Sequence, residues 1–364
     1  MKIIPASEPI LLGNELKYVT DCIKSTWISH GSYVDLFENK FAKFCGVAHA
    51  TSVASGTAAL HLALVALGIG PGDEVIVPDF TFVSTANVVV YAGATPVLAD
   101  INMETWNIDP GAIKRSITKK TKAIIVAHLF GHPADMDPIL AVAREHDLLV
   151  IEDACESHGA LYKGKKVGSI GDVGCFSFYG NKVMTTGEGG MVVSGNKGII
   201  DRIAYLKAHA QDQKKQYMHS EIGFNYRLTN LQSAFGLAQL EHIDVVLTAK
   251  RKHAALYNTL LKSVRGIVLP PGIEWARNIY WMYSILLPSC SVRKYLMEEL
   301  ARARIETRPF FVPLHRLPMY KKKKSFPNSD DISDRGMSLP SSAKVTEKDI
   351  RYICKQIVRI LRVV

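Results

Sequence analysis

A chain of 364 residues, 48% hydrophobic and 21% charged, buries more than one core usually serves, so two domains are expected. Its formal charge of +10 calls for an anionic partner. Nucleic acid is the tempting reading, yet Lys and Arg are spread along the chain without a helix-turn-helix, zinc-finger or RNP pattern, and a phosphorylated small molecule suits the charge equally well.

The six cysteines (Cys22, Cys45, Cys155, Cys175, Cys290, Cys354) show no CxxC pair and no Cys/His ligand spacing. No metal site is expected, and reduced thiols point to the cytoplasm. MKIIPASEPILLGNELKYV has too short an apolar run and too early a proline and acid for a signal peptide. Nothing approaches an uninterrupted membrane span.

In chain order, TAALHLALVAL (57–67) reads as an apolar helix and EVIVP (74–78) as a β-branched run closed by proline. A helix-like 82–92 leads to TPVLADI (95–101), AIIVAHLF (123–130), a helix over 137–146, LLVIED (148–153), GCFSFY (174–179) and MVVS (191–194). Apolar strands separated by helices predict an α/β architecture, a mostly parallel sheet covered on both faces. Ligands of such sheets sit beyond the carboxyl ends of the strands. The pattern is helical over 229–262, which predicts a connection between a large domain (1–245) and a smaller C-terminal domain (246–364). The latter holds a strand-like IYWMYSILL (279–287), a helix over 292–303, IETRPFFVPLH (305–315) and a closing helix, 347–362. The run Lys321–Lys324 reads as a solvated loop, and 321–336 is polar enough to be mobile.

Several residues at strand ends carry candidate chemistry. Ser55, Gly56 and Thr57 open the first helix, where free N–H groups favour a phosphate; an ordinary Ser/Thr cap fits the same tripeptide. Asp153 ends LLVIED, so its carboxylate is expected at the ligand edge beside Glu152, opposite a protonated ring nitrogen or capping the next helix. Lys182 follows FSFYGN and precedes the glycine turn TTGEGG, as either a surface lysine or one that attacks an aldehyde. Their order, phosphate loop, acid, lysine and glycine turn, describes one cofactor site.

SGTAALHLAL, VPDFTFVSTANVV, GATPVLADI, VIEDACESHGA, FSFYGNKVMTTGEGGMV and GFNYRLTNLQSAFGLAQLE resemble the DegT/DnrJ/EryC1/StrS sugar aminotransferase family over nearly the whole chain. The resemblance implies fold type I, with a mostly parallel mixed sheet between helices, a smaller C-terminal α+β domain, and pyridoxal 5'-phosphate as cofactor. STWISHGSYVDLFENKFAKF, LFGHPADM and ETRPFFVPLHRLPMY are most similar to the perosamine-forming branch.

By that resemblance Lys182 would be the Schiff-base lysine and proton shuttle, and Asp153 would hold the pyridine nitrogen. Ser55, Gly56, Thr57 and Ser177 would bind the phosphate, Phe82 would lie against the cofactor face, and Glu156 near its hydroxyl or the substrate. Asn225 and Arg227 would reach into the neighbouring subunit's site, implying a homodimer with shared sites. Arg308 and His315 are candidates for the nucleotide-sugar phosphates, with a structural salt bridge or core contact as the rival; Trp27, Ser29 and His30 are candidates for the sugar pocket. Asn278 stands where relatives carry histidine, and Ala210 where glycine is common.

The activity implied is amino transfer from glutamate to a nucleotide-linked 4-keto-6-deoxy sugar, GDP-4-keto-6-deoxymannose first and a UDP- or dTDP-linked sugar as the alternative. A dehydratase of the same fold carries histidine in place of Lys182. A regulator without turnover would not need lysine, aspartate and phosphate loop together. A dinucleotide-binding enzyme would need a G-x-G-x-x-G that is missing here.

Overall fold

The computed structural model describes residues 3–212, 214–321 and 324–362. Seven strands form the central sheet: β1 (His49–Val53), β2 (Glu74–Pro78), β3 (Thr95–Ala99), β4 (Thr121–Ala127), β5 (Leu149–Asp153), β6 (Val173–Ser177) and β7 (Gly190–Ser194). Their order is β1-β7-β6-β5-β4-β2-β3, and only β7 runs against its neighbours. Alternation along the strands feeds two cores. Val75, Val77, Ile125, Ile151 and Cys175 enter one; Ile76, Ile124, Val126, Val150 and Phe176 enter the other. Burial on both faces is why these strands read as continuous apolar runs. The helix Gly56–Ala66 is buried at every position from Ala58 to Leu64 and so lacks a polar face.

A smaller antiparallel sheet follows, β8 (Tyr283–Leu286), β9 (Arg308–Pro309) and β10 (Gly336–Leu339), in the order β8-β10-β9. With the helices Cys290–Arg302 and Glu347–Leu361 it encloses a separate core that includes Ile285, Leu300, Ile353 and Ile357. The helix Ile243–Leu261 joins the two parts. Its Ile243, Val246 and Leu247 lie in the larger core, its Ala254, Tyr257 and Leu261 in the smaller. The architecture is the expected α/β sheet with a smaller α+β part.

Two local expectations change. The helical stretch 229–262 breaks at His242 (φ −116°, ψ 10°) into Asn230–Glu241 and Ile243–Leu261, the first opened by a Thr229/Gln232 capping box. In the segment expected to be mobile, Lys322 and Lys323 lie outside the described residues, but Pro327–Arg335 is a helix with Ser329 and Ile332 fully buried. Its polar residues find partners in the protein: Asp100 Oδ1 accepts from Ser329 N (3.0 Å) and Oγ (2.7 Å). No described helix is long and apolar enough to cross a membrane.

Candidate active site

The carboxyl ends of the parallel strands surround a cavity of about 410 Å3. At one side stands the start of the helix Gly56–Ala66. Ser55 caps it, its Oγ accepting from Ala58 N (3.1 Å), and keeps its own O–H to donate. A Cβ at Gly56 would lie 2.7 Å from Ser177 Cβ and 2.8 Å from Cys155 Sγ, so only glycine brings the backbone this close. Thr57 Oγ1 donates to Ser84 Oγ (3.0 Å).

Asp153 ends β5 facing this cavity, and is 9% exposed. Its Oδ2 accepts from Thr85 Oγ1 (2.9 Å) and its Oδ1 from Cys155 N (3.3 Å). Glu152 does not emerge beside it. Neighbouring strand residues face opposite sides, and Glu152 accepts from the N–H groups of Gly168 (2.7 Å), Ile170 (2.6 Å) and Gly171 (2.7 Å). It also pairs with His128 Nε2 at 2.9 Å; His128 Nδ1 accepts from Ala134 N, which assigns the proton to Nε2.

Lys182 lies in the turn after β6, its N–H donating to Tyr179 O (2.9 Å). Its Nζ lies 3.8 Å from Glu156 Oε1 and 3.9 Å from the ring centroid of Trp281. Glu156 Oε2 accepts from Phe130 N (2.9 Å). Burial pushes the Glu156 carboxyl up to about 7, against the opposing pull of the Lys182 charge.

Trp281 is a lining residue that sequence reasoning missed. It follows Tyr280, which holds a left-handed backbone (φ 51°), and Asn278 Oδ1 accepts from Tyr280 N (2.6 Å). Asn278 thus supports the turn that presents Trp281, whose Nε1 donates to Asn181 O (2.8 Å). A bulky aromatic within the apolar run IYWMYSILL was the available signal.

Phe82, Arg308 and Phe311 form the outer wall. Phe82 is 53% exposed and its ring centroid lies 5.7 Å from that of Phe311. Arg308 is half-buried and makes no ion pair among the described residues.

Other expected residues are not gathered here. His315 does not line the cavity: its Nδ1 is 2.7 Å from Asp79 Oδ2 and its Nε2 3.3 Å from Asp330 Oδ1. The rival expectation, a structural pair, is the one its geometry matches. Trp27, Ser29, His30, Asn225 and Arg227 are all exposed and outside the cavity of this chain. Arg227 NH1 comes within 3.4 Å of His30 Nε2, so two of these segments meet. Asn230 Nδ2 fixes the first of them by donating to Trp27 O (2.6 Å). Ala210 is buried with a left-handed backbone (φ 50°), a conformation that glycine adopts at lower cost. Among the described residues no His/Cys/Asp/Glu cluster could hold a metal.

These groups fit pyridoxal phosphate. The Gly56 cradle and the Ser55 and Ser177 hydroxyls offer donors to a phosphate, a buried carboxylate offers a partner to a protonated ring nitrogen, and an amine lies within the same cavity.

The family model for the DegT/DnrJ/EryC1/StrS aminotransferase family matches residues 9–358. A GDP-perosamine synthase of Escherichia coli O157:H7 is 46% identical over 359 residues, 98% of this chain and 98% of the relative. Another, from Caulobacter vibrioides, is 44% identical over 368 residues with the same coverage of both. Spr1654 from Streptococcus pneumoniae, solved in a PLP-form, has a TM-score of 0.94 at 27% identity over 99% of each chain. Fold and cavity are those of an aminotransferase. The chain belongs to the DegT/DnrJ/EryC1/StrS aminotransferase family.

Proposed function

We propose that the chain transfers an amino group from glutamate to C4 of GDP-4-keto-6-deoxymannose, forming GDP-perosamine, with pyridoxal phosphate as cofactor. The observation that carries this reading is the Lys182 amine in one buried cavity with Asp153, Glu156 and the Gly56 helix start. The acceptor is supported by the full-length likeness to two GDP-perosamine synthases.

When bound, pyridoxal phosphate supplies an aldehyde for amines and a ring that takes up electron density. The N–H groups at the start of the helix, with Ser55, Thr57 and Ser177, hold the phosphate. The Asp153 carboxylate would keep the ring nitrogen protonated, and Phe82 would lie against one ring face. Lys182 Nζ would hold the aldehyde carbon of the cofactor, and its amine is the group in the cavity that would take up and return the proton the transfer needs. The same amine would serve with either substrate, glutamate as donor or the keto sugar as acceptor. Glu156, beside Lys182, sits near the cofactor's hydroxyl or the substrate, and Arg308 forks onto the diphosphate.

Asn225, Arg227, Trp27, Ser29 and His30 serve the site of a second copy in a homodimer. Their exposure supports this, as do exposed apolar residues on the same segments, Ile23, Trp27 and Ile28. The chain divides near 245/246 and works in the cytoplasm, where its six unpaired cysteines stay reduced.

Product analysis with glutamate and a panel of GDP-, UDP- and dTDP-linked 4-keto-6-deoxy sugars tests the acceptor. GDP-perosamine as the main product is expected; no aminosugar from any of them would refute the reading. Mixing Lys182→Ala with Arg227→Ala protein should restore activity in heterodimers, whereas independent sites would give none.

A further inference from the structure

We propose that Asp79 and His315 form a positioning pair that sets the outer wall of the cavity, and thereby the affinity for the nucleotide diphosphate. The inference rests on the reading of Arg308 as a diphosphate contact.

Two chain segments build that wall. Residues 79–82 leave the end of β2 and carry Phe82; residues 308–316 leave β9 and carry Arg308 and Phe311. Aromatic rings join them: Phe80 lies 5.8 Å from Phe310 and 6.3 Å from Phe311, and Phe82 5.7 Å from Phe311. Ring contacts of this kind have broad minima and tolerate sliding. Hydrogen bonds do not, and Asp79 supplies them.

The Asp79 side chain is fully buried. Its backbone O accepts from Leu314 N (2.8 Å), its Oδ1 from His315 N (2.9 Å), and its Oδ2 lies 2.7 Å from His315 Nδ1. Three acceptors on one residue thus hold a two-residue stretch of the distant segment. The His315 ring is fixed on its other side as well: it stacks on Phe326 at 4.9 Å, and Nε2 lies 3.3 Å from Asp330 Oδ1. Arg316 ties the next residue to Asp334 at 2.7 and 3.0 Å. A buried carboxylate that loses a donor keeps its desolvation cost, so the segment would move to recover one. Such a shift would reach Phe311 and, through the two-residue strand β9, Arg308, and leave Lys182, Asp153 and the Gly56 cradle in place, because those are held at the ends of the central sheet.

Titrating the cofactor-loaded enzyme with GDP tests this. In His315→Leu, the GDP dissociation constant should rise about tenfold, with cofactor absorbance unchanged and kcat at saturating sugar within about twofold. His315→Asn, which keeps an N–H near the Nδ1 position, should recover most of the affinity. Arg308→Ala should weaken GDP binding by itself, and adding His315→Leu to it should weaken binding no further, since the pair acts through Arg308. If His315→Leu does not fold, Asp79→Ala, which removes both side-chain acceptors, reports the same effect. The inference is overturned if Arg308→Ala weakens GDP binding while folded His315→Leu and Asp79→Ala bind it normally, or if the double variant is fully additive. Unchanged GDP binding in Arg308→Ala would remove the diphosphate reading itself.

Discussion

The inner end of the cavity and its outer wall are assembled differently. Ser55, Asp153 and Ser177 each lie on or within two residues of the end of a strand in one sheet, and Lys182 follows in the next turn. Phe82, Arg308 and Phe311 come from distant parts of the chain and meet through ring packing and the Asp79–His315 contacts. The sheet fixes the first set through its ladders, which makes it suited to chemistry that tolerates no misplacement. The second set is held by ring packing, the Asp79–His315 contacts and the two-residue strand β9, apart from the central sheet, the kind of construction that can be retuned for a different substrate without disturbing that sheet. Substitutions at the inner end should therefore act on turnover, and those at the wall on binding.

The largest effect should come from Lys182→Ala, with kcat for amino transfer lowered on the order of 10^4-fold in a rate assay. Asp153→Ala should lower kcat about 10^2-fold, since it removes the charge proposed to face the ring nitrogen and leaves the Thr85 hydroxyl without its acceptor. At the wall, Arg308→Ala should raise KM for the nucleotide sugar by about tenfold to a hundredfold and change kcat little. A large kcat loss there would erase the distinction between the two regions. Gly56→Ala places a methyl group against Ser177 and Cys155 and should weaken cofactor binding about tenfold, with about 1–3 kcal/mol of stability lost, read by cofactor titration and thermal melting.

The smallest effect concerns pH. Glu156 titrates at about 7 in the folded chain against 4.5 when unfolded, so between these values the unfolded chain binds fewer protons. Stability of the cofactor-stripped protein should therefore fall as pH rises from about 4.5 to 7 through this group. Glu156→Gln should flatten that part of the curve in denaturant melts. An identical slope in the variant would show that Glu156 is not the group responsible.

The same division governs what could be read before the fold was seen. Strand ends are visible in a sequence as apolar runs that stop, so Asp153 and the Ser55–Thr57 turn were legible from position and Lys182 from the glycine turn after it. Glu152 was misjudged because adjacency in sequence suggests adjacency in space, whereas a strand sends neighbours to opposite faces. Trp281 was missed since its approach to Lys182 depends on the left-handed turn at Tyr280 and on packing between the two parts of the chain. His315 follows Arg308 within one motif, yet the 3-10 turn Leu314–Arg316 aims it at Asp79. The helix Pro327–Arg335 looked unstructured because its polar residues are anchored by partners, such as Asp100, that no local pattern announces.

The proposed activity depends above all on Lys182 as the covalent anchor of the cofactor. Borohydride reduction of the yellow, cofactor-loaded protein, followed by digestion and mass spectrometry, tests it most directly. A pyridoxyl group fixed on the peptide that contains Lys182 is the expected result, with no such adduct in Lys182→Ala. A stable adduct on another lysine, or a protein that takes up no cofactor at all, would contradict it.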